Sequence, residues 1–112
     1  MGIRRHLMIT LALLVTVGVL TFAVVDEDLY NTGRSAVFEE RWEVARGTFE
    51  DLIRRFPSSP FADDAQYWLG MALYELGDPE KAYGMLKDLN TRFPASPWND
   101  DSRVLMVRCA ER

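Results

Sequence analysis

An all-α fold, a short solenoid of about five helices behind an N-terminal apolar leader, is predicted by a repeated segment and by apolar residues that recur at helical spacing. The stretch from Arg55 to Ala65 (RFPSSPFADDA) returns 37 residues later, from Arg92 to Ser102 (RFPASPWNDDS), with seven of eleven positions identical. A globular domain has no physical reason to restate a segment at a fixed offset, whereas stacked units must present the same face to each neighbour. The same offset pairs Tyr30 with Tyr67, Gly33 with Gly70, Ala45 with Ala82 and Leu52 with Leu89. These are small, apolar or aromatic positions of the kind a helix contact uses.

Each element follows from its own pattern. Leu29, Tyr30, Gly33, Ala36 and Val37 predict a first helix over 27–39. Residues 42, 45, 49, 52, 53 and 56 form the apolar stripe of a second, over 42–56, which Pro57 ends. Ser59-Pro60 opens a third over 61–76, with Ser59 as cap and Pro60 at the first helical position. Ala65, Trp68, Leu69, Ala72, Leu73 and Leu76 carry it until Gly77 stops it. Asp78-Pro79 restarts the chain as a fourth helix over 79–92, through Ala82, Leu86 and Leu89. Ser96-Pro97 opens a fifth over 98–110, through Val104, Leu105 and Val107. The repeats then span about 27–60 and 61–97, followed by a terminal helix. No segment after the leader alternates polar and apolar residues, so no strand is expected. The expected core is Ala45, Phe49, Leu52, Phe56, Leu69, Gly70, Leu73, Ala82, Leu86 and Leu89.

Residues 1–25 differ from the rest. Arg4 and Arg5 precede 19 uncharged residues, Leu7 to Val25, and Asp26, Glu27 and Asp28 follow. Basic residues before an apolar run and acids after it predict export with the N-terminus inside. The segment serves either as a signal peptide cut after Ala23 or as a membrane anchor, and both place residues 26–112 outside the cytoplasm. No cysteine lies near the junction, which removes lipid attachment there. The remaining 87 residues hold all 17 acids and 11 of the 13 Lys/Arg, a net charge of −6. That charge excludes nucleic acid, which requires a basic surface.

Leu69-Gly70, Gly77-Asp78, Ala82 and Pro94, with Ala45, Phe49 and Pro57 in an earlier copy, resemble the tetratricopeptide repeat, a 34-residue helix–turn–helix. The turn from Pro57 to Ala65 is three residues longer than usual, which accounts for a period of 37. Gln66 and Leu73 stand where the family has Trp and Tyr. The long turn, the Ala65-to-Gly70 segment and the Phe-Pro-x-Ser-Pro endings resemble envelope members: the periplasmic coordinator associated with the Tol–Pal system, and the repeat lipoprotein of the β-barrel assembly machinery. This resemblance implies a non-enzymatic adaptor of the cell envelope that docks a segment of another envelope protein. In such repeats the first helix of each pair lines the concave face. That face would expose Tyr30, Arg34 and Val37, then Tyr67, Met71 and Tyr74, with Val104 and Arg108 extending it.

The remaining conspicuous residues point to structure. Asp63-Asp64 and Asp100-Asp101 lie where a helix begins, and acids there favour the positive end of the helix dipole. Their recurrence at the offset marks a template rather than one catalytic pair. Trp42, Trp68 and Trp98 sit where helices meet. Cys109, one offset after Ala72, reads as a small buried residue, with an intermolecular disulfide as the alternative. His6 is the only histidine and belongs to the leader, and the glycines form no phosphate cradle. No enzyme activity, metal or cofactor is expected, and membrane contact is expected only through a retained leader. Two helix pairs and an unpaired helix make a short solenoid, so self-association or a permanent partner subunit is the competing reading.

Overall fold

The computed structural model describes residues 25–112. The leader expected over 1–25 therefore lies, but for its last residue, outside the described residues. Five helices follow one another: α1 (25–38), α2 (Trp42–Arg55), α3 (Ala62–Glu75), α4 (Pro79–Arg92) and α5 (Asn99–Glu111). The described residues contain no strand, and every expected helix is present within two residues of its expected ends. None of these helices is long and apolar enough to cross a membrane.

Helix ends are set by local chemistry. Gly77, at φ +83°, takes the left-handed conformation that ends α3. There Asp78 N–H bonds Leu73 C=O (2.9 Å) and Gly77 N–H bonds Tyr74 C=O (3.1 Å), satisfying the last free carbonyls. Asp78 then caps α4 by accepting from Lys81 N–H, with Pro79 in the first turn. The same motif closes α1: Arg41 N–H bonds Ala36 C=O (2.8 Å) and Glu40 N–H bonds Val37 C=O (3.0 Å). Glu40 there holds φ 57° without the freedom of glycine.

The Ser-Pro openings depart from expectation. Helix α3 begins at Ala62 and α5 at Asn99, after Phe61 and Trp98, and no side chain caps either helix. Pro60 and Pro97 lie in the preceding turn rather than at a first helical position. Ser59 Oγ accepts from Phe61 N–H (3.1 Å) and Ser96 Oγ from Trp98 N–H (3.2 Å), so each serine builds the turn that feeds the helix. Each hydroxyl also donates backwards, Ser59 to Asp26 (2.8 Å) and Ser96 to Asp63 (2.7 Å). The loop is thereby tied to the start of the previous unit's first helix.

Packing follows the repeat. All ten expected core residues are buried. A Cβ atom on Gly33 would come within 2.5 Å of the Phe49 ring, and one on Gly70 within 2.6 Å of Leu86. Phe49 and Leu86 are themselves one offset apart, so each glycine admits the one large residue its partner helix supplies. This explains why Asn31-Thr32-Gly33, poor in helix propensity, is helical: tertiary contact outweighs a local cost of about 1 kcal/mol. Helices α3 and α5 touch directly while α2 and α4 do not. The α1–α3–α5 row therefore forms the tighter, inner side of the array.

Candidate docking wall

The inner row brings the expected wall residues to one side but spends several of them on the fold. Tyr30 stacks on Phe61 (centroids 4.5 Å, planes 16° apart), and Tyr67 stacks on Trp98 (4.4 Å, 16°). Trp68 closes edge-on against both Tyr67 (5.1 Å) and Trp98 (5.3 Å). Tyr67 is only 7% exposed, which corrects the expectation that it projects into solvent. The physical reason is the long turn, which delivers an aromatic residue, Phe61 or Trp98, onto the tyrosine of the preceding unit. Replacing Tyr67 would damage the joint, so it cannot report on binding alone.

Asp64 joins three units. Its Oδ2 accepts from Tyr30 O–H (2.8 Å) and its Oδ1 from Trp98 Nε1–H. Burial first, then the hydrogen bond to Asp64 and its negative charge, pushes the Tyr30 phenol from an ordinary 10.0 up to about 12. The Tyr67 phenol is also raised, by burial and then by the charge of Asp101, against an opposing effect of Arg108. Asp63 and Asp64 do sit in the first turn of α3. Their role, however, exceeds the dipole contribution read from sequence.

The other wall residues keep more of their surface. Arg34 is exposed, its guanidinium 5.7 Å from the Tyr30 ring centroid. Val37, Met71 and Tyr74 are half-buried against the core. Arg112 lies over the Tyr74 ring at 4.0 Å and donates to the Tyr74 carbonyl (2.9 Å). Val104 and Arg108 are exposed.

Phe38, missed in the sequence, is 91% exposed beside Arg34 at the end of α1. The two residues help line a shallow depression of about 460 Å³ with Asn31, Ser35 and Glu39. The offset carried the signal, since the counterpart of Phe38 is the exposed Glu75.

Buried polar residues serve the packing. Gln66 Nε2 donates to Met85 C=O (3.0 Å) and to Asp88 (2.8 Å), holding α3 to α4 where the family has Trp. Ser102 Oγ bonds Leu86 C=O and Asn90 Oδ1, both at 3.2 Å. Cys109 is buried, and burial raises its thiol pKa. Among the described residues no group of three or more His, Cys, Asp or Glu could hold a metal.

This stacked pair of helical hairpins, with its glycine contacts and repeated turns, defines a helical repeat protein. Residues 30–97, well over half of the chain, match the tetratricopeptide repeat, and the chain belongs to that family. A search of curated proteins returns no match. Modules of this kind bind other proteins and are usually non-catalytic, and no enzyme family is detected.

Proposed function

We propose that the chain is an adaptor of the cell envelope whose inner wall docks an extended segment of another envelope protein. The observation that carries the docking reading is the pairing of Phe38 and Arg34, a bare aromatic ring beside an exposed cation, continuous with Val37 on α1. Met71 and Tyr74 continue the same wall on α3. Aromatic and arginine side chains on a rigid helix lose little freedom on contact and commonly dominate an interface. Tyr30 and Tyr67 support the wall from beneath, and Val104 and Arg108 lie at its far end. The envelope placement is supported by the Arg4/Arg5, apolar and acidic order of residues 1–28 and by the resemblance to periplasmic repeat domains.

A photo-crosslinking amino acid at Phe38 or Met71, in intact cells, should give the same discrete adduct. The same probe at the exposed Lys87 on α4 should give none. Adducts from Lys87 alone would place the binding surface on the other row. A reporter active only outside the cytoplasm, fused after Arg112, should work. Activity confined to a cytoplasmic reporter would reject the envelope placement.

The competing reading, a structural assembly unit, is favoured by one observation. Val104 and Val107 are 57% and 58% exposed on the face of α5 opposite its buried Ser102, Leu105 and Cys109.

A further inference from the structure

Charge divides the array along the same line as its two rows. The inner helices α1, α3 and α5 hold nine acids and three arginines, a net charge of −6. The outer helices α2 and α4 hold five acids and six bases, a net charge of +1. On the outer row the two signs meet in ion pairs, Arg46 with Glu43 and Arg54 with Asp51 in α2, and Arg92 with Asp88 in α4. Among the described residues the inner helices hold one such pair, Arg103 with Asp100. The helix dipole favours acids at any helix start, and α2 and α4 also carry one there, Glu43 and Glu80. The dipole therefore explains where the inner acids stand, but not why so few bases answer them.

One row of these acids crosses the docking wall. Glu27, Asp64 and Asp101 occupy a single position of the repeat on three successive inner helices, two turns before Arg34, Met71 and Arg108. Glu27 and Asp101 are exposed and Asp64 is half-buried. Tyr30 and Trp98 donate to Asp64, which orients its carboxylate without neutralising it. Asp101 acts on the Tyr67 phenol, as Asp64 acts on Tyr30, so both acids lie on the tyrosine side of their helices. The cations of the wall leave the row uncovered. Arg34 and Arg108 stand about 10 Å further along their helices. Arg34 and Arg112 lie over the rings of Tyr30 and Tyr74, and Glu75 accompanies them at the lower end. We propose that the segment docked on this wall is basic, an extended chain whose lysine or arginine side chains meet Glu27, Asp64 and Asp101 in turn. Packed helices lie about 8–10 Å apart, and an extended polyproline-type chain returns to the same side every three residues, about 9 Å on. A cation at every third residue therefore follows the row, while apolar residues of the segment take Met71, Tyr74 and Phe38 below it. The surplus negative charge also steers such a segment from a distance, an attraction that salt weakens. The inference rests on the docking reading and names the chemistry of its partner.

Fluorescence anisotropy of the full chain in detergent tests it, using a labelled peptide with lysine at every third residue and leucine or alanine between. A second peptide carries glutamate in place of each lysine. The lysine peptide should bind, more weakly as salt is raised, and the glutamate peptide should not. Glu27→Gln combined with Asp101→Asn should weaken binding on the order of tenfold or more while the helical circular dichroism stays unchanged. Glu43→Gln combined with Glu80→Gln changes the net charge equally, on the outer row, and should leave binding as it was. Glu27→Lys combined with Asp101→Lys should shift the preference to the glutamate peptide. Equal binding of both peptides, no binding of the lysine peptide, or an outer-row pair as damaging as the inner-row pair overturns the proposal. The crosslinks at Phe38 and Met71 report a docked segment whatever its charge. Adducts there without lysine-peptide binding leave the docking reading standing and sink this account of the partner. Lysine-peptide binding that depends on Glu27 and Asp101, with no adducts, upholds the basic partner and removes the lower wall from the site.

Discussion

The joint between α1 and α3 and the uncovered face of α5 use the same positions and reach opposite outcomes. At the joint, Tyr30 is covered by Phe61 and bonded to Asp64, and Gly33 is covered by Phe49. The next joint repeats this with Tyr67, Trp98, Gly70 and Leu86, and its stacked rings agree with the first to a tenth of an ångström. On α5 the corresponding valines remain open. The covered positions must be tyrosine and glycine because a defined neighbour arrives. Where the facing surface differs, the residues differ as well. The 37-residue template therefore describes a contact rather than a helix.

The contrast breaks most sharply at the aromatic position. Tyr67→Ala should cost about 3–5 kcal/mol by emptying the space beneath Trp98. Val104→Ala, the same position one unit on, should stay within about 0.5 kcal/mol. Chemical denaturation of both variants measures the difference, and equal losses would mean that the stack contributes nothing beyond helix formation. Gly33→Val or Gly70→Val should cost about 1–3 kcal/mol through overpacking. Gly47→Val serves as the control, because no atom lies within 4 Å of a Cβ there. A melting temperature lowered as much by the control as by the other two would remove the close-contact explanation.

The carboxylates sharpen the comparison further. Asp64→Asn leaves Tyr30 O–H and Trp98 Nε1–H competing for a single carbonyl, and should cost about 1–2 kcal/mol. Asp101→Asn breaks no side-chain hydrogen bond to another unit and should cost a few tenths of a kcal/mol. If thermal melts rank them the other way, Asp64 is not the link between units.

Glu40 and Gly77 differ at one conformation. Glu40→Gly should therefore stabilise by about 0.5–1 kcal/mol, because it removes a left-handed non-glycine residue. A loss of stability would show that the Glu40 side chain matters more than its backbone. The smallest effect is set by pH. The raised Tyr30 pKa favours the neutral phenol in the folded state, so its contribution is complete below about 10.0 and fades as pH rises through about 12. The stability gap between the natural chain and Tyr30→Phe should be flat through neutral pH and shrink across that alkaline window. A constant gap would separate Tyr30 from Asp64.

The number, order and borders of the helices were legible in the sequence because their punctuation is local. Pro57, Gly77-Asp78-Pro79 and Pro94 act on their own backbone whatever packs above them. Stripe periodicity likewise marked the buried side of each helix, so Ala45, Phe49, Leu52 and their offset partners were found as core. The neighbours could be read only in part. Gly33 and Gly70 announced a close approach, but not that Phe49 and Leu86 would fill it. Tyr67 looked like an exposed wall residue until Trp98 was seen lying on it. Asp63-Asp64 looked like dipole acids until Ser96, Tyr30 and Trp98 were seen donating to them. Phe38 and Glu40 carried a signal in their counterparts Glu75 and Gly77, readable only with those pairs side by side. The physical reason is common to all of these. A sequence determines which face a helix must bury and where its hydrogen-bonded ladder stops. The atoms that meet that face arrive from 16 to 34 residues away, and only the stacked units decide which of them arrive.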